Sequence, residues 1–335
     1  MELALVPEQP LKARVSKLLV RAALAALALP LSVSAQTTYP SKPLRFVVPY
    51  PPGAGTDVVA RIIGTKLTES WGQPVVLDFR PGASATLGPD VVSKSPPDGY
   101  TFVIVTSTFT MTPGLQKVPY DPVRDFTPVV MFAAVPNVLV VHPSLPVRST
   151  KALIQLARAR PGELTFGSSG NGSVPHLTTE MLRMIAAPLD IVHVPYRGNN
   201  PALTALFSGE ISMTIISMPT AVPLITSGRV RALAVTSARR SQAAPQVPTL
   251  AESGAPGYDF ASEWGILLPA KVPAEIVGKL YGEVARIIKM PDIAEKLANQ
   301  GAEPRGIGPD EYAASIRANL ARWQKVIRAA NIRAD

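Results

Sequence analysis

Apolar and polar positions along the chain fall into two alternating periodicities. Leu44–Val48 (LRFVV) is a continuous apolar run, halted by Pro49-Tyr50-Pro51-Pro52-Gly53. A strand buried on both faces has this pattern, as in a parallel sheet. From Asp57 the period lengthens: Val59, Ile62, Ile63 and Leu67 recur at helical spacing, and Trp71-Gly72 closes the segment. Val75–Leu77 and Phe102–Val105 are the next strands. Strands alternating with helices of this length predict βαβ units.

The same order returns further on. The pattern predicts helices over Ser149–Arg160, His176–Ala187 and Pro201–Phe207, with strands at Leu164–Phe166, Ile191–Val194, Ser212–Ile216 and Ala232–Val235. Tyr312, Ile316, Leu320, Trp323 and Ile327 place a final helix on one apolar stripe. Its acidic start (Asp310, Glu311) and basic end (Arg322, Lys325, Arg328) suit the helix dipole. Two α/β lobes account for this grammar, and the extended segments Val138–Val141 and Ser262–Leu268 are the expected crossings between them.

The N-terminus stands apart. Lys12, Arg14, Lys17 and Arg21 lead into an apolar run from Ala22 to Leu31, followed by the small residues Val33-Ser34-Ala35. This is the layout of a cleavable signal peptide over residues 1–35, and the run is too short to span a bilayer. Removing it lowers the formal charge from +9 to +7, spread along the chain without a cluster. That balance favours anionic solutes over nucleic acid. The chain has no cysteine, so disulfide and thiolate chemistry are excluded.

Three turns run from a strand end into a helix start: Tyr50–Asp57, Gly167–Ser173 and Pro195–Asn200, the last placing Pro201 at the first helical position after an Asn cap. In α/β sheets ligands sit beyond the carboxyl ends of strands, where free N–H groups and the helix dipole hold carboxylates or phosphates. Each turn alone is well explained as a capped tight turn; three of them together indicate a site. Asp57 serves either as a helix-start acid or as an acceptor for a ligand hydroxyl, ammonium or bridging water. His176 serves either as a donor to ligand or as a structural group at the helix end. Trp264 serves either to line the cleft or to fill the core, and the core is expected.

Enzyme signatures are missing. No phosphate-binding G-x-x-x-x-G-K-[ST] occurs, and Gly167-Ser168-Ser169-Gly170-Asn171 fails the nucleophile-elbow pattern at its last position. The three histidines, His142, His176 and His193, have no i, i+4 spacing for zinc. No metal or cofactor is expected.

These stretches resemble the Bug-type receptors, the TctC group of extracytoplasmic solute-binding proteins related to tripartite tricarboxylate transporters. The likeness runs from Tyr39 to Asp335 through Pro49–Arg61 (PYPPGAGTDVVAR), Arg80-Pro81-Gly82-Ala83, Pro97–Thr101 (PDGYT), Tyr120–Phe126 (YDPVRDF), Gly170–Leu177 (GNGSVPHL), His193–Leu206 (HVPYRGNNPALTAL), Val230–Ser237 (VRALAVTS) and Val247–Gly254 (VPTLAESG). The resemblance implies an α/β, two-lobed periplasmic-binding-protein fold of the Venus-flytrap type II, with a mostly parallel sheet in each lobe and a cleft between them. The expected division is residues 36–140 plus 263–335 in lobe 1 and 141–262 in lobe 2. The positions carried over, with their neighbours in the same turns, are Tyr50, Gly53, Ala54, Gly55, Thr56, Asp57, Ser107 and Thr108 on one side. On the other are Ser169, Gly170, Asn171, Gly172, Ser173, His176, Tyr196, Gly198, Asn199 and Ser217.

Departures from the pattern narrow the ligand. Ala54 stands where a second Gly is usual, Ser84-Ala85 replace a common Gly-Gly, and Ile216-Ser217 replace a frequent Asp-Asn. Losing that acid removes a partner for an ammonium group, so a mono- or dicarboxylate with an apolar or aromatic body is expected rather than an amino acid. The expected role is capture in the periplasm by a monomer and delivery to a tripartite tricarboxylate-type transporter. The alternative is a ligand-sensing receptor that docks on a membrane signalling protein without transport. A third class, a periplasmic lyase or hydrolase, lacks an assembled nucleophile–base pair or metal cluster.

Overall fold

A computed structural model describes residues 39–186 and 189–333 of the chain. The expected signal peptide lies outside the described residues. The strands are β1 (Leu44–Val48), β2 (Val75–Phe79), β3 (Thr101–Val105), β4 (Phe126–Val141), β5 (Leu164–Ser168), β6 (Ile191–Pro195), β7 (Met213–Ser217), β8 (Arg231–Val235), β9 (Ala261–Pro269) and β10 (Glu303–Ile307). The helices are α1 (Gly55–Trp71), α2 (Leu87–Ser93), α3 (Thr108–Leu115), α4 (Thr150–Ala159), α5 (Val174–Ile185), α6 (Asn199–Ser208), α7 (Met218–Thr226), α8 (Ala274–Ile287), α9 (Pro291–Asn299) and α10 (Pro309–Ala329).

Strand order across the sheet is β2-β1-β3-β9-β4-β7-β5-β6, with β8 and β10 also pairing with β4. Two parallel groups flank a long antiparallel centre. On one side β1 pairs in parallel with β2 and β3; on the other β5 pairs in parallel with β6 and β7. Every antiparallel pairing involves β4 or β9. The sheet is therefore mixed where a mostly parallel one was expected. The reason is topological: each parallel group is a crossover unit closed by helices, whereas a chain that passes between groups and returns must run against itself.

β4 makes that passage. Its first part, from Phe126 to Pro136, pairs with β9, and Asn137–Val141 pair with β7. Nearly all of its sixteen residues are buried, as expected for a strand covered on both faces. The switch at Asn137 is fixed by Thr236. The Asn137 N–H donates to Thr236 Oγ1 at 3.1 Å, the Thr236 N–H donates to the Asn137 carbonyl at 2.9 Å, and Thr236 Oγ1 donates to the Phe260 carbonyl at 2.7 Å. Phe260 returns its own N–H to the Thr236 carbonyl at 2.8 Å. All three segments that change direction here are tied to one buried threonine.

The core divides in the same way. Val47, Val103, Phe109, Tyr120, Phe126, Leu267 and Tyr312 form a cluster on the β1–β3 side. Phe166, Leu177, Met181, Met213, Leu250 and Tyr258 form a larger one on the β5–β7 side, which Trp323, Val326 and Ile327 of α10 join. α10 presents the predicted stripe and packs it against both α3 and α5. One local expectation changes: α6 begins at Asn199 behind Gly198, so Pro201 occupies the third helical position. The first-turn N–H groups have no intrahelical partner in any case, so proline costs nothing there.

Candidate functional site

The β1–α1 turn is built around Asp57. Its Oδ2 accepts the Gly53 N–H at 2.8 Å, a carboxylate at the third helical position reaching back over the helix start. Arg61 Nε lies 2.7 Å from Oδ1, yet that oxygen is buried and has no partner in hydrogen-bonding geometry. Thr56 Oγ1 beside it is also buried without a partner. Asp57 thus holds the loop through one oxygen and is charge-paired with Arg61 through the other. The guanidinium next to it offsets its charge, so an incoming carboxylate is not repelled.

Tyr50 anchors the other end of the turn. Its hydroxyl meets Thr106 Oγ1 at 2.8 Å and Thr108 Oγ1 at 3.1 Å, and the two threonine hydroxyls lie 3.0 Å apart. Burial of this hydroxyl pushes the Tyr50 pKa up, against the opposing pull of both threonines. The triangle links the β1–α1 turn to the β3–α3 junction. Next to it, Ser107 is buried at the start of α3 and accepts the Glu263 N–H of β9 at 2.9 Å, so it positions backbone.

Across from these, the β5–α5 turn rests on two histidines. The Gly172 N–H donates to His176 Nδ1 at 3.1 Å. His176 stacks on His193 with ring centroids 3.8 Å apart, and His193 stacks on Phe166 at 4.7 Å. His193 Nε2 lies 2.7 Å from Ser168 Oγ. That pair has the spacing of a nucleophile and its base, but Ser168 is completely buried and its hydroxyl also donates to the Gly170 carbonyl. It supports the turn from beneath. Ser173, the residue before α5, has a buried hydroxyl without a hydrogen-bond partner.

A cleft of about 580 Å³ brings the two turns together. Tyr50 and Thr108 line it from one side; Asn171, Gly172 and Ser173 line it from the other. Sequence reasoning missed other parts of this wall, among them Pro81, Gly82, Ser84 and Ala85, Met111 and Leu115 of α3, and Gln116 just after it. The only signal for the first of these was the turn-forming Arg80-Pro81-Gly82 sequence; an apolar side chain such as Leu115 carries none. Leu115 reaches the opposite turn, where a Cβ on Gly172 would lie 2.5 Å from its Cδ1.

The remaining expected positions surround this cleft without lining it. Ala54, Gly55 and Thr56 lead into α1, which starts without a side-chain cap. Gly55 faces Trp264, whose Cη2 would be 3.5 Å from a Cβ placed there. Trp264 is half-buried against the turn and not in the core as expected. Ser169 and Gly170 complete the second turn, and His176 lies under it. The Tyr196 N–H donates to the Ser168 carbonyl at 3.0 Å, which sets the β6–α6 turn, with Gly198 and Asn199, beside it. The Tyr196 hydroxyl is committed to Glu210 at 2.9 Å. Ser217 starts α7, with Oγ 3.0 Å from Thr220 Oγ1.

Taken together, α1, α3, α5, α6 and α7 all begin at strand carboxyl ends, and in none is the start capped by its own N-cap side chain. Helix starts of this kind suit an anion, although in α3 the N–H groups of Phe109, Thr110 and Met111 are already taken by the carbonyls of Thr106 and Ser107. Among the described residues no His, Cys, Asp or Glu group is arranged to hold a metal ion, and no helix is long and apolar enough to cross a membrane. The arrangement offers helix-start dipoles and hydroxyls to a negative charge.

Known proteins share this architecture. The sequence profile of the tripartite tricarboxylate transporter family receptor (TctC) matches residues 59–332. Protein BugT of Bordetella pertussis is 38% identical over 310 residues, covering 91% of this chain and 94% of that protein. The structure of R. palustris Rpa4515 with adipate is 41% identical, with a TM-score of 0.73, over 89% of this chain and 100% of that one. MatC (Rpa3494) of Rhodopseudomonas palustris with bound malate is 29% identical, with a TM-score of 0.69, over 86% of this chain and 100% of that one.

Proposed function

The chain belongs to the tripartite tricarboxylate transporter receptor family, whose members are solute-binding proteins and not enzymes, and we propose that it captures a small dicarboxylate with an apolar middle. The observation that carries this reading is the pair of buried hydroxyls left over on facing turns. Thr56 Oγ1 on the β1–α1 turn and Ser173 Oγ on the β5–α5 turn are buried without hydrogen-bond partners. Buried polar atoms are nearly always satisfied in native proteins, and these lie where helix N-termini favour an anion. Relatives of this chain bind adipate and malate, both dicarboxylates. The replacement of Asp-Asn by Ile216-Ser217 leaves no acid there for an ammonium group.

In this reading, one carboxylate rests on the amides at the starts of α1 and α5, and Asp57 accepts from a water or ligand hydroxyl. Leu115 and the prolines at 49, 51 and 81 face the apolar middle. Residues 36–140 with 263–335 close against 141–262 about the Asn137–Thr236–Phe260 crossing. The protein acts in the periplasm as a monomer, after removal of residues 1–35, and hands its ligand to a membrane transporter. Calorimetric titration of the mature protein with dicarboxylates from malate to adipate, monocarboxylates and amino acids tests the assignment. Dicarboxylates are expected to bind most tightly; binding confined to amino acids contradicts it.

A further inference from the structure

One apolar contact crosses the cleft. Leu115, the last residue of α3, lies over Gly172 in the β5–α5 turn: a Cβ on Gly172 would fall 2.5 Å from Leu115 Cδ1, 2.9 Å from Cδ2 and 3.2 Å from Cγ. The leucine side chain therefore occupies the space that a side chain at position 172 would take. Both residues line the cleft. Thr108, Met111, Thr112 and Leu115 also line it, at the i, i+3, i+4 and i+7 spacing of one helix face. Leu115 ends that face where it meets the opposite turn.

Neither side of this contact has room to retreat. α3 is pressed onto α10: a Cβ on Gly114 would meet Ile327 Cδ1 at 2.6 Å and the Gln324 backbone at 3.9 Å. Met111, one turn before Leu115, is buried in a cluster with Trp323, Val326 and Ile327 of α10, and Leu115 packs against the same cluster. On the facing turn the Gly172 N–H is held by His176 Nδ1 at 3.1 Å. Gly172 has a φ of +70°, a conformation that glycine takes without strain. A side chain wedged between two fixed backbones sets the width of whatever lies next to it, because packed interiors deform little.

We propose that Leu115 is the specificity-determining residue of the cleft, and that it admits a straight carbon chain as the ligand's apolar body while excluding a flat ring. This role rests on the cleft being the solute site, and it adds the shape of the apolar body to the charge of the ends. Leu115→Ala removes three side-chain carbons, which opens the space a ring needs and takes contacts away from a chain. A single methylene group in an apolar pocket discriminates between ligands by about 10- to 200-fold.

Calorimetric titration of the mature wild type, Leu115→Ala and Leu115→Val with chains and rings of similar length tests this. The pairs are adipate with terephthalate, and hexanoate with benzoate. Wild type is expected to prefer the chain in whichever pair binds. Leu115→Ala is expected to shift the ring-to-chain affinity ratio toward the ring by about 10-fold or more, with Leu115→Val between the two. Equal affinity of wild type for ring and chain, or a ratio unchanged in both variants, overturns the proposal. Binding confined to the monocarboxylates contradicts the dicarboxylate reading, and the hexanoate-to-benzoate ratio then decides the role of Leu115. Absence of binding by all four overturns both. Leu115→Val removes one carbon only, so it preserves the comparison if a circular dichroism melt shows Leu115→Ala to be poorly folded.

Discussion

His176 Nδ1 accepts the backbone N–H of Gly172 at 3.1 Å, so the turn that faces the β1–α1 loop is held by an imidazole packed beneath it. His193 and Phe166 continue the stack below. Replacing His176 by Ala removes the acceptor and leaves the ring of His193 unsupported. Solute affinity is expected to fall about 5- to 10-fold, corresponding to the loss of one hydrogen bond, with a smaller loss of thermal stability. Calorimetry and a thermal melt on the same preparation separate the two effects.

The α9–β10 loop and the start of α7 meet through a glycine. A Cβ on Gly301 would lie 2.2 Å from Pro219 Cγ at the start of α7, and Gly301 has a φ of +62°. The Gly301→Ala substitution therefore adds backbone strain of about 1 to 2 kcal/mol to a steric clash. The expected outcome is a lower urea midpoint. Gly278→Ala, where no atom lies within 4 Å of the new Cβ, serves as the neutral comparison.

Thr236 is the tie at the sheet crossing. Thr236→Val keeps the shape and removes the hydroxyl that bonds Asn137 and Phe260. A buried N–H and a buried carbonyl then lose a partner, at a cost of about 1 to 3 kcal/mol. Chemical denaturation is expected to register that loss, with little change in the slope of the transition.

Glu263 gives a pH-dependent stability. Burial raises its pKa in the folded protein, against the lowering effect of Ser315 and Asn319. Because the folded state holds the proton more tightly than the unfolded state, this group disfavours folding increasingly as pH rises from the ordinary carboxylate range through its raised value. Glu263→Gln removes the titration. The variant is expected to gain melting temperature relative to wild type at pH 8, and the difference is expected to shrink towards pH 4. Parallel melts at the two pH values check the sign.

Much of this fold was legible in residue order. The apolar run at Leu44–Val48 is β1 to the residue, and the stripe from Tyr312 to Ile327 is the buried face of α10. β4 was recognised only at its end, Val138–Val141. Pro128 and Pro136 break the apolar run that precedes it, and proline is a poor guide to a central strand. In the folded chain Pro128 adjoins a register shift against β9, and Pro136 pairs with Ala261 at the point where β4 changes partners.

The site was legible where backbone makes it. Turns such as Gly53–Asp57 and Gly170–Ser173 announce themselves because glycine and small polar residues are needed for close approach of an anion. Leu115 and Pro81 were not found as site neighbours and Trp264 was assigned to the core over the cleft, since an apolar residue at a cleft reads like one in a core.

The most direct test of the central claim is calorimetric titration of adipate and malate into the mature wild-type protein and into the Thr56→Val/Ser173→Ala double variant. The account predicts saturable binding of at least one dicarboxylate to the wild type. It predicts a loss of about 10-fold or more in the double variant, with the melting temperature of the unliganded protein unchanged or raised, since the removed hydroxyls were buried without partners. Equal affinity in the two proteins would contradict the placement of the ligand between these turns, and the absence of any dicarboxylate binding to wild type would contradict the assignment itself.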